Sequence, residues 1–186
     1  SFCCHNMSEE KKVESKEVPS AGGGLDAELD DVTLTLVSQD GEKFEISKAI
    51  AKMSELIKTM VEGDKEETEI PLPNVKGSIL AKVVEYMNYH HVNPPQEIER
   101  PLKSNNMRQI VCDWDCDFCE VEQEVLFEMI LAANYTDVKP MLDLTCAKVA
   151  SMIKGKKAEE IRELFGIEND FSPEEEAIAR AENKWA

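Results

Sequence analysis

Residues suited to chemistry crowd into one short stretch of the chain, Cys112-Asp113-Trp114-Asp115-Cys116-Asp117-Phe118-Cys119. Cys112, Cys116 and Cys119 have the spacing of three thiolates around an iron–sulfur cluster. The radical enzymes that use such clusters rest on a large barrel, and this chain shows no repeated βα pattern. Zinc would need a fourth ligand, which His90 or His91 could supply, but adjacent histidines on a helix point about 100° apart. Asp113, Asp115, Asp117 and Glu124 mimic the carboxylates of a calcium loop. Yet the hinge glycine of such a loop is replaced by Phe118, and its apolar position by Glu120. The expectation is a solvated acidic loop carrying locally packed thiols, with no metal ligands. The alternative is a metal-binding redox or calcium-binding protein that uses the Cys112–Glu124 segment.

Elsewhere catalytic chemistry has little to work with. The three histidines are His5, near the start, and the adjacent pair His90 and His91. There is no G-x-S-x-G elbow, no phosphate-binding P-loop and no G-x-G-x-x-G. The expectation is therefore no catalytic residue, no cofactor and no enzyme. Lys plus Arg total 21 against 38 Asp plus Glu, a formal charge of −17, which repels nucleic acid and anionic membranes. The greasiest run, Val125–Ala133, is interrupted by Glu128 and is too short to span a bilayer. With no secretory pattern in the opening residues, the six cysteines are read as reduced thiols, and the address as cytoplasmic and nuclear.

The elements that would position these residues emerge from periodicity. Residues 1–30, with Gly22–Gly24 and no apolar period, read as a disordered leader. Val32, Leu34 and Leu36 alternate as a strand, Asp40-Gly41 turns the chain, and Phe44 and Ile46 continue in a second strand. Ser47 caps a short helix, and Leu56, Ile57, Met60 and Val61 mark a second one. After an acidic loop at Gly63–Glu69, the alternating prolines of Ile70-Pro71-Leu72-Pro73 force extended backbone. Ile79, Leu80, Val83, Val84 and Met87 form the stripe of a helix ending near His91. Residues 92–110 read as a long mobile connection. Helices come next, near 121–135, 140–153, 158–165 and 173–184, the last announced by Ser172-Pro173-Glu174-Glu175. Strands first and helices afterwards make the fold α+β.

Two helices carry more apolar surface than one core consumes. Leu142, Cys146, Val149 and Ile153 form one stripe, widened by Met141, Leu144 and Met152. Leu126, Phe127, Met129, Ile130 and Leu131 spread around most of a circumference. A single core covers about 100° of a helix, so the surplus points to a binding surface for a partner helix.

The motifs Ile70-Pro71-Leu72-Pro73-Asn74-Val75, Leu131-Ala132-Ala133-Asn134-Tyr135, Met152-Ile153-Lys154-Gly155-Lys156 and Glu159-Glu160-Ile161-Arg162 occur in order. Asn169-Asp170-Phe171-Ser172-Pro173-Glu174-Glu175-Glu176 and Glu182-Asn183-Lys184-Trp185 complete the series. Together they resemble the S-phase kinase-associated adaptor family of SCF ubiquitin ligases, over about residues 32–185. The resemblance implies a BTB/POZ domain at residues 31–138 and a helical F-box-binding and dimerisation region at 139–186. It implies a non-catalytic adaptor that bridges a cullin scaffold to F-box proteins. On matching positions, Asn134 and Tyr135 face the cullin. Leu126, Ile130, Leu142, Cys146, Val149, Ile153, Phe165, Asn169 and Trp185 face the F-box. When free, the chain is expected to form a homodimer through that same face, with Trp185 ordering only against a partner. Two departures stand out. Lys156-Lys157-Ala158-Glu159-Glu160 lacks the proline that some protist relatives hydroxylate and glycosylate, so that modification is not expected. The cysteine-rich stretch keeps only Trp114 and Asp115 of the family's pattern there.

Overall fold

A computed structural model describes residues 33–63 and 68–183 of the chain. The leader, Val32, most of the acidic loop and Trp185 lie outside the described residues. Strand β1 (Thr33–Ser38) pairs antiparallel with β2 (Lys43–Ser47), so that Leu34 faces Ile46 and Leu36 faces Phe44. Gly41 closes the hairpin at φ 81°, a conformation that costs a residue with a Cβ. Ser47 caps α1 (Lys48–Ala51) by accepting from the Ile50 N–H. Helix α2 (Glu55–Gly63) then returns the chain to β3 (Glu69–Leu72), which lies parallel to β1. The sheet order is β2-β1-β3, which puts β3 at an edge where Pro71, lacking an N–H, is tolerated.

Helix α3 (Gly77–Val92) covers the sheet, burying Ile79, Leu80, Val83, Tyr86 and Met87 against Leu34, Leu36, Ile70 and Leu72. Truncating a residue as deeply buried as Leu80 costs about 2–5 kcal/mol. Beyond α3 the chain continues through α4 (Asp113–Phe118), α5 (Gln123–Tyr135), α6 (Lys139–Ile153), α7 (Ala158–Phe165) and α8 (Pro173–Glu182). Met141, Leu144 and Ala147 of α6 join the same continuous core as the sheet. By contrast, α7 and α8 bury no residue at all.

Two expectations change. The stretch between α3 and α4 has little regular structure, yet it is anchored: Met107 is buried, and Ile98 and Leu102 pack on the core. Apolar side chains at three points along it supply the contacts that its polar composition hides. The Asp-rich segment is not a solvated loop either. It forms α4, with Asp113 and Asp115 in a first turn where the helix dipole favours carboxylates, and with Asp115 itself buried.

Candidate functional site

Helix α5 ends in a turn that fixes Asn134 and Tyr135. The Val138 N–H donates to the Ala133 carbonyl at 3.0 Å and the Asp137 N–H to the Asn134 carbonyl at 3.2 Å, the two bonds of a Schellman motif. Its left-handed position is held by Asp137 at φ 50°, where glycine is the usual occupant. Val138 and Ala133, the apolar pair of the motif, are fully buried. Asn134 is exposed, while Tyr135 is half-buried with its ring against the core. The two expected cullin-facing residues are therefore the last two of a helix whose end is closed by these bonds.

The expected F-box residues divide. On α6, Met141, Leu144, Thr145, Ala147 and Ser151 face inward. Leu142, Cys146, Val149 and Ile153 share the other side, with Cys146 and Ile153 exposed and the remaining two half-buried. A hollow of about 610 Å³ runs along this side, walled by Ile98, Pro101 and Leu102 across from Leu142, Cys146 and Ala150. Ile130 is half-buried on α5, and the Phe165 ring of α7 lies 5.9 Å from Phe127 of α5. Asn169 is exposed and accepts from the Phe171 N–H at 3.3 Å. Leu126 is the correction: at 1% exposure it lies beneath the surface and offers a partner nothing to touch. On a helix apolar around most of its circumference, pattern alone does not say which stripe turns inward. Phe127 and Leu131, at 38% and 69% exposure, are the large apolar side chains of α5 that face out.

Helices α7 and α8 and the stretch between them leave apolar groups in water. Ile167, Phe171 and Ile178 are all about half exposed. Arg180 of α8 bridges Glu159 of α7 at 2.8 Å and, within its own helix, Glu176 at 2.9 Å, and the Arg162 guanidinium of α7 lies over the Phe171 ring just before α8. Ser172 and Glu175 cap α8 reciprocally, as the Ser-Pro-Glu-Glu signal predicts.

The cysteine and aspartate residues are engaged in packing. His90, buried on α3, has Nε2 at 2.8 Å from Asp115 Oδ1 and Nδ1 at 2.8 Å from the Asn93 carbonyl. The Cys112 thiol donates to Asp115 Oδ2. Trp114 stacks on Tyr89 at 3.8 Å and on Phe118 at 5.1 Å, walling the pair with rings. Asp113 and Asp117 both bridge Arg108 at the surface. Burial pushes the Cys119 thiol up to about 12 and raises Cys112 and Cys146 as well, so these sulfurs are held as thiols. His91 is exposed on the far side of its helix. Among the described residues no three His, Cys, Asp or Glu side chains converge as metal ligands. No sequence pattern announces the His90–Asp115 pair, whose members lie 25 residues apart.

Comparison with known families matches two separate stretches of the chain. Residues 32–92 match the Skp1 family tetramerisation domain and residues 139–186 the Skp1 family dimerisation domain. The S-phase kinase-associated protein 1 homolog of Tetrahymena thermophila is 51% identical over 152 residues, covering 81% of this chain and 92% of the relative. The SCF ubiquitin ligase complex protein SKP1a of Dictyostelium discoideum is also 51% identical over 152 residues, covering 81% and 93%. SKP1-like protein 11 of Arabidopsis thaliana is 49% identical over 153 residues, covering 82% and 95%.

Proposed function

The chain belongs to the Skp1 family, and from that premise we propose that it is the adaptor subunit of an SCF-type cullin-RING ubiquitin ligase. It bridges a cullin scaffold to F-box proteins, which hold substrates for ubiquitin-dependent degradation. One observation carries the reading: an α+β body with its own core displays the end of α5, while α7 and α8, which follow α6 in the chain, bury no residue of their own. Helices without a core of their own take their stability from packing, and a partner is what can supply it. The chain itself performs no bond-making step in this role. It sets the distance and orientation between scaffold and receptor.

On this reading Asn134 and Tyr135 touch the cullin, a phenol there combining apolar area with a hydrogen bond. The F-box lies on the side of α6 that carries Leu142, Cys146, Val149 and Ile153, bordered by Ile130, Phe165 and Asn169. Trp185 belongs to the same expected face and lies outside the described residues. In the absence of an F-box the same face pairs two copies of the chain, so homodimer and receptor compete. The charge of −17 opposes nucleic-acid and anionic-membrane partners; a cytoplasmic and nuclear address is part of the same proposal.

Reconstitution tests the assignment. Changing Asn134 and Tyr135 together to alanine should weaken cullin binding by more than about 2 kcal/mol, as for central anchors, and leave F-box binding intact. Equal loss of both partners would indicate misfolding instead. Val149→Asp should abolish F-box binding and the homodimer together, because a buried carboxylate without a counter-charge is costly. A dimer that survives Val149→Asp while F-box binding is lost would separate the two surfaces.

A further inference from the structure

The turn just after Asn134 and Tyr135 is held from outside its own helix. Two carbonyls of the turn, those of Thr136 and Asp137, are both taken by donors from the start of α2. The Ser54 hydroxyl donates to the Thr136 carbonyl, and the Glu55 N–H donates to the Asp137 carbonyl at 3.4 Å. Ser54 does two jobs with one side chain. Its Oγ also accepts from the Ile57 N–H at 3.2 Å, so it caps α2 while reaching a residue 82 positions away. Both ends of the contact are dry: Ser54 and Thr136 are each 0% exposed. Thr136 has no spare freedom, since its own hydroxyl donates back to the Ala132 carbonyl at 2.7 Å.

This arrangement has a purpose that the core does not explain. A left-handed Asp137 is an unfavourable way to end a helix and persists only where surrounding contacts over-determine it. The α2 cap supplies such contacts at the two residues immediately beyond Asn134 and Tyr135. A helix N-terminus presents unpaired N–H groups, and a helix C-terminus presents unpaired carbonyls. Here the two ends satisfy one another across the fold.

We propose that Ser54, with the Glu55 N–H, is a positioning residue for the cullin contact, setting the direction in which the last turn of α5 presents Asn134 and Tyr135. The inference rests on the reading that those two residues face the cullin. Ser54 is buried and touches no partner itself. It acts by denying the helix end the freedom to fray, so a cullin meets a preorganised pair.

The test is cullin binding by the full chain, with F-box binding of each variant as the control. Ser54→Ala removes the hydroxyl and should weaken the cullin about tenfold with unchanged F-box affinity. Ser54→Thr, which keeps the hydroxyl, should restore most of the loss. In a Tyr135→Ala background the Ser54→Ala change should cost little more, since its effect passes through the missing ring. Glu55→Pro guards against a folding defect. It deletes the N–H that reaches Asp137, at the first helical position where proline is well accepted, together with the exposed Glu55–Lys58 pair, which contributes little, and should weaken the cullin two- to threefold. Full cullin affinity in both Ser54→Ala and Glu55→Pro, alongside loss in the Asn134 and Tyr135 double variant, overturns the proposal and spares the reading beneath it. Full affinity in that double variant overturns both. Additive losses from Ser54→Ala and Tyr135→Ala also overturn it, because a general loss of stability does not pass through one side chain.

Discussion

Cys119 is fully enclosed in the core, and burial, reinforced by the nearby Asp115 charge, pushes its thiol up to about 12 from its ordinary 9.0. Burial likewise raises the Tyr86 phenol beyond the usual range. Both are acids held neutral by the fold, so the unfolded chain loses these protons at a lower pH than the folded one. The stability they contribute is complete below about pH 9 and is lost progressively as pH rises toward 12. Urea midpoints measured across that window should fall, and Cys119→Ala should flatten part of the fall. A slope unchanged by the substitution would assign the effect to other groups. The His90–Asp115 pair makes a separate prediction. Asp115→Ala strands a buried imidazole nitrogen and the Cys112 thiol, and should cost about 2–3 kcal/mol in urea denaturation. An equal change at the exposed Asp113, which bridges only Arg108, should cost less than about 1 kcal/mol.

At the scale of elements, the Schellman turn after α5 and the arm formed by α7 and α8 stand at opposite ends of local stability. Asp137→Gly relieves a left-handed residue with a Cβ and should stabilise the chain by about 1 kcal/mol. Its cullin affinity should hold, because the carbonyls that Ser54 and Glu55 engage are backbone. Helices α7 and α8 have no buried residue to protect them, so their amides should exchange hydrogen far faster than those of α3 and α5. An F-box domain should slow exchange there and leave α3 unchanged. Protection of α7 and α8 already equal to that of α3 in the free protein would contradict an arm that waits for its partner.

For the whole molecule, shape and charge pull against one another. The open sides of α6, α7 and α8 favour pairing of two copies, while a charge of −17 on each opposes it. Raising ionic strength from about 0.02 M to about 0.3 M shortens the screening length severalfold, so light scattering should show the proposed homodimer strengthening with salt. A dimer weakened by salt would point to ion pairs, rather than the apolar side of α6, as its basis. The same imbalance bears on receptor choice, since an F-box surface rich in Lys and Arg is steered toward this chain more quickly than a neutral one.

Much of this architecture is written locally. Alternating Leu34 and Leu36, the Asp40-Gly41 turn, the prolines of Ile70-Pro71-Leu72-Pro73 and the Ser172-Pro173 cap each act within a few residues, and each element lies where its own pattern puts it. The missing metal-loop glycine is equally local, since Phe118 stands where the turn needs none of its bulk. The family, too, is legible, because motifs strung in order along the chain need no third dimension. The tertiary structure decided what depends on facing another element. Leu126 and Leu131 are both leucines on one apolar helix, yet one is buried and the other exposed, because neighbouring elements cover only part of the circumference of α5. Asp113, Asp115 and Asp117 look alike in sequence, yet only Asp115 meets His90 in a dry, ring-walled site. Nothing in the local pattern singles out Ser54, and only the fold brings Thr136 within reach of its hydroxyl. Periodicity fixes where a side chain points relative to its own helix axis, whereas burial and long-range hydrogen bonds depend on how that axis is rolled against its neighbours.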